Sequence, residues 1–123
     1  MSSRPEQLRD RTKAFALRVI RLFRSLPYKT DTQVLGKQLL RCGTSVAANY
    51  RAVCRARSKA EFIARMGIAA EEADEAVLWV ELLTESGIVK VEMTEGLLKE
   101  AKELAAILTA SQQTAKKGGV TRF

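Results

Sequence analysis

The sequence contains no histidine. Because histidine is the side chain most often used for proton transfer near neutral pH, its absence excludes Ser-His-Asp triads, Cys-His dyads and the Glu-x-x-His pattern of di-iron bundles. Cysteine is also scarce, and Cys42 and Cys54 cannot form a standard zinc site without histidine or a second cysteine pair. The composition therefore leaves few routes to catalysis or to a bound metal ion.

Long apolar runs are absent as well. No run approaches the roughly 18–20 residues of a membrane span, and residues 1–10 contain no apolar signal-peptide core. We therefore expect a cytoplasmic protein with no membrane association, in which both cysteines are reduced core residues. With 123 residues, of which 46% are hydrophobic, the chain is long enough for one folded domain with a real core.

Apolar residues recur with the period of an α-helix along almost the whole chain. Pro27 ends the first helical segment, Ser58 with Glu61 forms a capping box before the third, and Gly87 is a suitable stop after it. Thr94 is the expected N-cap of the last segment. The pattern predicts an all-α fold, an antiparallel up-down-up-down four-helix bundle, with helices at about 5–26, 31–56, 59–86 and 95–116 and a basic tail at 117–123.

The predicted second helix contains two glycines. We expect it to start at Thr30 or Asp31, because Thr30 and Gln33 have capping-box spacing. Gly36 and Gly43 lie inside it, and each costs up to about 1 kcal/mol relative to alanine. Close approach of a neighbouring helix would offset that cost, so we expect the helix to continue through both positions.

Charge is strongly segregated along the chain. Residues 1–59 contain 14 basic and 3 acidic residues, whereas residues 60–103 contain 4 basic and 11 acidic ones. The net charge of +7 therefore conceals a basic amino-terminal half and an acidic middle segment. Such asymmetry favours binding of a polyanion.

The basic residues form rows on the first two predicted helices and a cluster in the turn that follows. An arginine-rich helix face suits bidentate contacts to phosphate, so these rows predict a nucleic-acid-binding surface that contacts the backbone. Two alternatives are a solvated face and ion pairing with the acidic third helix, within or between subunits. The candidate residues are Arg11, Arg18, Arg21, Lys37, Arg41, Arg51, Arg55, Arg57 and Lys59.

The acidic segment allows two interpretations. Its densest cluster consists of Glu71, Glu72, Asp74 and Glu75. We expect this cluster to be an acidic face that is either solvated or forms salt bridges to the basic face of a neighbouring subunit. The alternative is a magnesium site like that of all-α nucleotide pyrophosphohydrolases, in which a Glu-Glu-x-x-Glu helix is completed by a later Glu-x-x-Asp. Because the later motif reads Glu92-x-x-Glu95 here, we expect no metal, no cofactor and no catalytic residue.

Polar residues form a further stripe on the second helix, beside its apolar face. Gln38, Ser45 and Asn49 follow one another there at helical spacing. Buried amides and hydroxyls need hydrogen-bond partners, so we interpret the stripe as a structural network within the bundle or between subunits. A catalytic role for Ser45 would need a base that the pattern does not supply. Trp79 is expected in the core or in an interface.

Several motifs follow one another in an order that resembles a known family. They are Gln38-Leu39-Leu40-Arg41, Ser45-Val46-x-x-Asn49 and Arg57-Ser58-Lys59-x-Glu61-Phe62. The arrangement resembles small bacterial four-helix-bundle proteins, the 23S rRNA intervening-sequence proteins, over roughly residues 8–110. The more usual family pattern continues after the asparagine as Ile-Ala-Glu-Gly, whereas this chain has Tyr50-Arg51-Ala52-Val53, which extends the basic row.

The resemblance implies a fold and a function. Proteins of this kind form up-down bundles that assemble as homopentamers. A related protein, the accessory variability determinant of diversity-generating retroelements, binds a reverse transcriptase and nucleic acid. By this resemblance we expect a non-enzymatic homo-oligomer, a pentamer, that binds RNA as an adaptor or scaffold. The resemblance also implies an alternative, an accessory subunit for a protein partner such as a reverse transcriptase.

Overall fold

The computed structural model describes residues 3–118 and contains four α-helices in that range. They are α1 (Arg4–Ser25), α2 (Thr30–Cys54), α3 (Lys59–Glu85) and α4 (Val91–Lys116). The described residues contain no β-strand, and the predicted all-α fold is confirmed. Of the predicted basic tail, residues 119–123 lie outside the described part of the chain.

Helices that follow one another in the chain pack side by side in an antiparallel bundle. Helix α2 packs against α1 and α3, and α3 packs against α4. The contact between α1 and α4, which closes the bundle, is the loosest of the four. This is the predicted up-down-up-down arrangement, which long helices joined by short turns favour.

The core fills the space between the four helices. Helix α3 contributes several small residues, among them the fully buried Ala69, Ala73 and Ala76, which let its neighbours approach closely. Cys42 is buried as predicted, whereas Cys54 is exposed near the end of α2, and neither forms a disulfide. The largest fully buried side chains come from all four helices and include Phe15, Leu39, Leu83, Leu104 and Leu108.

Gly36 and Gly43 mark the close approach of α1 to α2. A Cβ atom at Gly43 would lie 2.8 Å from a methyl carbon of Val19, and one at Gly36 would lie 2.7 Å from a methyl carbon of Leu26. Helix α2 continues through both positions, as predicted. The contact with α1 supplies packing that offsets the low helix propensity of glycine.

Side-chain caps form at the start of α1 and of α3, and the second of them is the cap that the sequence predicts. The Ser3 hydroxyl accepts a hydrogen bond from the backbone N–H of Glu6 at 3.2 Å, and the Ser58 hydroxyl caps α3 in the same way at 3.0 Å. Helix α1 ends at its C-cap Leu26, directly before Pro27. These two caps and the proline fix three helix ends from local sequence alone.

Helix α2 starts at Thr30 as predicted, but its N-cap differs from the prediction. Lys29 occupies the N-cap position, and no side chain caps the helix there. The backbone N–H of Gln33 donates to the carbonyl of Lys29 at 2.8 Å, and the Asp31 carboxylate accepts from the N–H of Thr32 at 2.8 Å. The predicted capping box does not form, because Thr30 already lies in the first turn of the helix.

The turn between α3 and α4 has the predicted stop but a different helix start. Gly87 has a φ angle of +82°, in the left-handed region that favours glycine, and its N–H donates to the carbonyl of Thr84 at 3.0 Å. Helix α4 then begins at Val91 instead of residue 95, so the prediction of Thr94 as N-cap is wrong. Thr94 is buried, and its hydroxyl lies 2.8 Å from the Thr84 hydroxyl, which satisfies both groups.

Candidate nucleic-acid interface

The outward face of α2 carries a row of exposed cations. Lys37, Arg51 and Arg55 are exposed, and the small residues Thr44 and Ala48 lie between them on the same face. Salt bridges among residues 3–118 involve Arg11 and Arg41 but none of these three cations. Their charges are therefore available to a ligand.

The other predicted cations divide between two places. Arg57 and Lys59 are exposed in and after the turn that follows α2, and Arg18 and Arg21 are exposed on α1. Arg18 reaches towards α4, because its Nη2 atom would lie 3.0 Å from a Cβ atom at Gly96. It therefore lies on the α1–α4 side of the bundle, apart from the row on α2.

Arg41 belongs to the same row on α2 but pairs with α3. Its Nη1 atom donates to both carboxylate oxygens of Glu72, at 3.0 and 3.4 Å, and its Nη2 atom donates to Glu75. Its Nε atom donates to the side-chain oxygen of Gln38 at 3.3 Å. Glu72 and Glu75 therefore form salt bridges with the basic row of their own chain.

The Glu75 carboxylate accepts hydrogen bonds from two further side chains besides Arg41. The Trp79 indole N–H donates to its carboxylate at 3.0 Å, and the Cys42 thiol donates at 2.9 Å. Hydrogen bonds from Cys42, Trp79 and Arg41 hold the pKa of Glu75 below its usual value. Burial, reinforced by Glu75, raises the pKa of the Cys42 thiol to about 12, so it is protonated at neutral pH.

Arg11 is also engaged within the chain, across the loose contact between α1 and α4. Its guanidinium makes a two-point contact with Glu100, at 2.9 and 2.6 Å, and a further bond to Glu103 at 3.2 Å. The hydrogen bond with Glu100 is the main cause that raises the pKa of Arg11. Arg11 therefore connects α1 to α4 through salt bridges.

The predicted polar stripe of α2 forms two separate groups. The Asn49 side-chain amide donates to the carbonyl and the hydroxyl of Ser45, both at 2.9 Å, and Arg65 on α3 donates to the Asn49 side-chain oxygen at 3.4 Å. Gln38 instead contacts Arg41. Every buried side-chain nitrogen or oxygen atom among the described residues has a hydrogen-bond partner. Both groups connect α2 to α3, directly or through Arg41.

The remaining acidic residues do not converge on one centre. Glu71 and Asp74 are exposed on α3, and Glu92 and Glu95 lie in the first turns of α4. Within residues 3–118, no three cysteine, aspartate or glutamate side chains are grouped so that they could hold a metal ion. The two parts of the possible magnesium motif are therefore not brought together in the described structure.

Folding gathers much of the basic charge at one end of the bundle. We call this the basic end; it comprises residues 3–9, 51–61 and 110–118, from all four helices. The opposite end, residues 22–33 and 82–96, contains three basic and four acidic residues. The basic end contains two acidic residues, Glu6 and Glu61, and eight basic ones: Arg4, Arg9, Arg51, Arg55, Arg57, Lys59, Lys116 and Lys117.

The basic end includes residues that the sequence alone did not assign to a common site. Arg9 and Lys116 are separated by most of the chain, and only antiparallel packing of α1 against α4 places them at the same end. The predicted antiparallel topology implies that these helix ends lie together, but the search for basic rows compared only residues within one helix.

Helix α3 also presents an outward apolar stripe that the sequence reasoning missed. Ile68, Leu78 and Leu82 are 39%, 47% and 38% exposed and lie on one face of the helix. A helix that is apolar on both sides buries one side in its own bundle and leaves the other for a partner. The available signal was their helical spacing, which places these three residues on the same side of the helix.

The described residues thus define an all-α, antiparallel four-helix bundle with one basic end, in which no helix is long and apolar enough to cross a membrane. The model of the family described as 23S rRNA-intervening sequence protein matches residues 7–110. The chain belongs to this family. None of the curated proteins matches the sequence.

A solved structure has the same fold. It is the crystal structure of a protein of unknown function from the S23 ribosomal protein family of Bacteroides thetaiotaomicron. The two sequences are 32% identical, and the alignment covers 91% of this chain and 100% of the other with a TM-score of 0.83. The similarity extends over nearly the whole bundle, including the elements that carry the candidate interface.

Proposed function

We propose that this protein is a non-enzymatic, homo-oligomeric RNA-binding adaptor or scaffold that acts in the cytoplasm. The observation that carries the proposal is the set of exposed cations that have no carboxylate partner among residues 3–118. Arg11 and Arg41 of the original candidates are held within the chain. The seven available to phosphate are Arg18, Arg21, Lys37, Arg51, Arg55, Arg57 and Lys59.

The row on α2 is the best contact surface for an RNA backbone. At a rise of about 1.5 Å per residue, Lys37 and Arg55 are separated by about 27 Å along the helix, which is long enough to follow several phosphates. Small residues between the cations let the RNA approach the helix closely. Structured RNA is the ligand to test first, because the family description refers to 23S rRNA.

Fluorescence anisotropy with a labelled RNA hairpin at several salt concentrations tests the proposal. The double variant Arg51→Gln with Arg55→Gln removes two contacts, so the slope of log affinity against log salt should decrease in magnitude by about 2. The matched control is Lys99→Gln with Lys102→Gln, which removes two exposed charges from α4. Absence of binding at low salt, or an equal loss in the control, would contradict RNA binding by α2.

We also propose that the subunits assemble through the apolar stripe of α3, as a pentamer by resemblance to the family. The intrachain pairing of Glu72 and Glu75 with Arg41 supports an interface that does not depend on those carboxylates. Light scattering after size exclusion should give five subunits at both 0.15 M and 1 M salt, because apolar contacts are not screened.

Two double variants distinguish an interface at the stripe from a general effect of exposed apolar residues. The test variant is Leu78→Ser with Leu82→Ser, and the control is Leu17→Ser with Val34→Ser. Each pair removes two exposed apolar side chains, from α3 in the first case and from α1 and α2 in the second. Only the α3 pair should yield monomers. A monomeric wild-type protein, or dissociation by high salt, would overturn this mode of assembly.

A protein partner such as a reverse transcriptase completes the adaptor proposal. The end opposite the basic end exposes four large apolar side chains. Leu82 belongs to the stripe of α3, and the others are Tyr28, Val91 and Met93, of which Tyr28 is 92% exposed. A partner held there would leave the basic end open to RNA. Co-elution with a purified reverse transcriptase should be lost in Tyr28→Ser with Met93→Ser, whereas RNA binding should persist. Co-elution that persists in this double variant would contradict docking at this end.

A further inference from the structure

An open cleft of about 800 Å³ lies at the basic end of the bundle. Two connections, residues 26–29 and 86–90, cover the opposite end, whereas the short turn at residues 55–58 is the connection at this one. The loose contact between α1 and α4 also leaves space between their ends. The volume is within the range of about 300–1,000 Å³ that is typical of small-ligand sites.

The floor of the cleft is apolar and partly aromatic. Tyr50 and Val53 of α2, Phe62 and Met66 of α3, and Leu8 of α1 line it. Tyr50, Val53, Met66 and Leu8 are almost fully buried, so the floor belongs to the packed core. Phe62 is only partly buried, so it is the aromatic side chain in the floor on which a planar ligand can stack.

The rim of the cleft is polar and positively charged. The small polar residues Ser3, Cys54 and Thr114 line it, together with the basic residue Arg4. Arg4 and Arg9 are close enough to the Tyr50 hydroxyl to act on it electrostatically. A ligand that fits this arrangement has a flat apolar ring and an attached anion, and a nucleotide has both.

We propose that the cleft binds an unpaired nucleotide at the end of an RNA helix, with the base on the apolar floor and its phosphate at the Arg4 rim. This inference rests on the proposed RNA binding and adds a binding site for one nucleotide of that RNA. Proteins commonly recognise RNA through unpaired bases that stack on aromatic side chains. The row on α2 then holds the adjoining backbone, because Arg51 and Arg55 lie at the same end.

Three RNA hairpins test the proposal: one blunt, one with a single 5′ unpaired 2-aminopurine and one with a single 3′ unpaired 2-aminopurine. Stacking of one base corresponds to about tenfold in affinity, so at least one overhang should bind about tenfold more tightly than the blunt hairpin. The 2-aminopurine fluorescence of that hairpin should be quenched on binding.

Two threonine variants on α4 locate the effect. Thr114→Trp fills the rim of the cleft, whereas Thr109→Trp adds the same side chain to the groove between α3 and α4. Both positions are exposed, so both variants should fold. The overhang preference and the quenching should be lost in Thr114→Trp and retained in Thr109→Trp.

The outcomes separate this inference from the proposed function. Equal binding of all three hairpins by the wild-type protein would overturn the cleft site and leave RNA binding intact. An overhang preference that survives in Thr114→Trp would also overturn it. Binding of none of the hairpins at low salt would contradict the proposed function itself.

Discussion

At the scale of single residues, the partly exposed cluster around Glu75 determines which charged groups of α2 and α3 are paired. Arg41, Cys42 and Trp79 all donate to this carboxylate, from two different helices. The sequence identified Arg41 and Glu75 as candidate partners, but it could not exclude pairing between subunits. The choice was made by packing, which brings Cys42 and Glu75 within hydrogen-bond distance.

The two cysteines should differ in reactivity. Cys42 is buried with a pKa raised to about 12, whereas Cys54 is exposed. A thiol reagent such as DTNB at pH 8 should therefore modify one thiol per chain rapidly and the second only after unfolding. The rapid phase should disappear in Cys54→Ser and persist in Cys42→Ser; rapid modification of both thiols would contradict the burial of Cys42.

The contribution of Glu75 to stability should depend on pH. Because its pKa is lowered in the folded protein, its contribution is fully present above the unfolded pKa of about 4.3 and is lost as the pH falls through the folded pKa. The free energy of unfolding of Glu75→Gln should be below that of wild type at pH 7, and the difference should narrow below about pH 4. Urea unfolding measures this difference. Glu71→Gln, which removes an exposed carboxylate of the same helix, is the control for the loss of one negative charge.

At the scale of elements, local signals placed the helices well where a cap or a breaker acts alone. Ser58, Gly87 and Pro27 ended or started helices as predicted. The start of α4 could not be predicted locally, because Thr94 is turned inward by Thr84, which lies on another helix. The hydrogen bond between the Thr84 and Thr94 hydroxyls is a tertiary contact, and it uses the Thr94 hydroxyl that an N-cap would need.

Replacing a glycine by alanine should have opposite effects on the free energy of unfolding in α2 and in α4. At Gly43 the new Cβ would lie 2.8–3.0 Å from three atoms of the buried Val19, so Gly43→Ala should destabilise the protein by about 1–3 kcal/mol. At the exposed Gly96 the nearest atom is the flexible end of Arg18, so Gly96→Ala should stabilise it by up to about 1 kcal/mol.

Thermal and urea unfolding of both glycine variants measures these effects. Val19→Ala should partly rescue Gly43→Ala, because it removes the methyl groups that the new Cβ meets. If Gly43→Ala is as stable as wild type, α1 and α2 are farther apart than described.

At the scale of the whole molecule, the first and last helices are joined by few contacts and one ion-pair cluster. Arg11 contacts Glu100 through two bonds and Glu103 through one. The Glu100 side chain is the more buried of the two carboxylates, at 17% exposed against 47%. Solvent screening should therefore weaken the second contact more than the first.

Double-mutant cycles with Arg11→Met quantify this tie. The coupling free energy with Glu100→Gln should be about 1 kcal/mol, since the contact is bidentate and half-buried, and that with Glu103→Gln only a few tenths. Urea unfolding at low and high salt supplies both values. Equal coupling free energies for Glu100 and Glu103 would show that burial of the carboxylate does not control the strength of its ion pair with Arg11.

The sequence by itself determined the helices, the inner stripes and the rows of cations, because each depends on spacing within one segment. Tertiary structure decided which charges remain available. It paired Arg11 and Arg41 inside the chain, left the row on α2 exposed, and gathered charges from both ends of the sequence around one cleft. The physical reason is that ion pairing and the meeting of helix ends depend on distances between helices, which spacing within a helix does not contain.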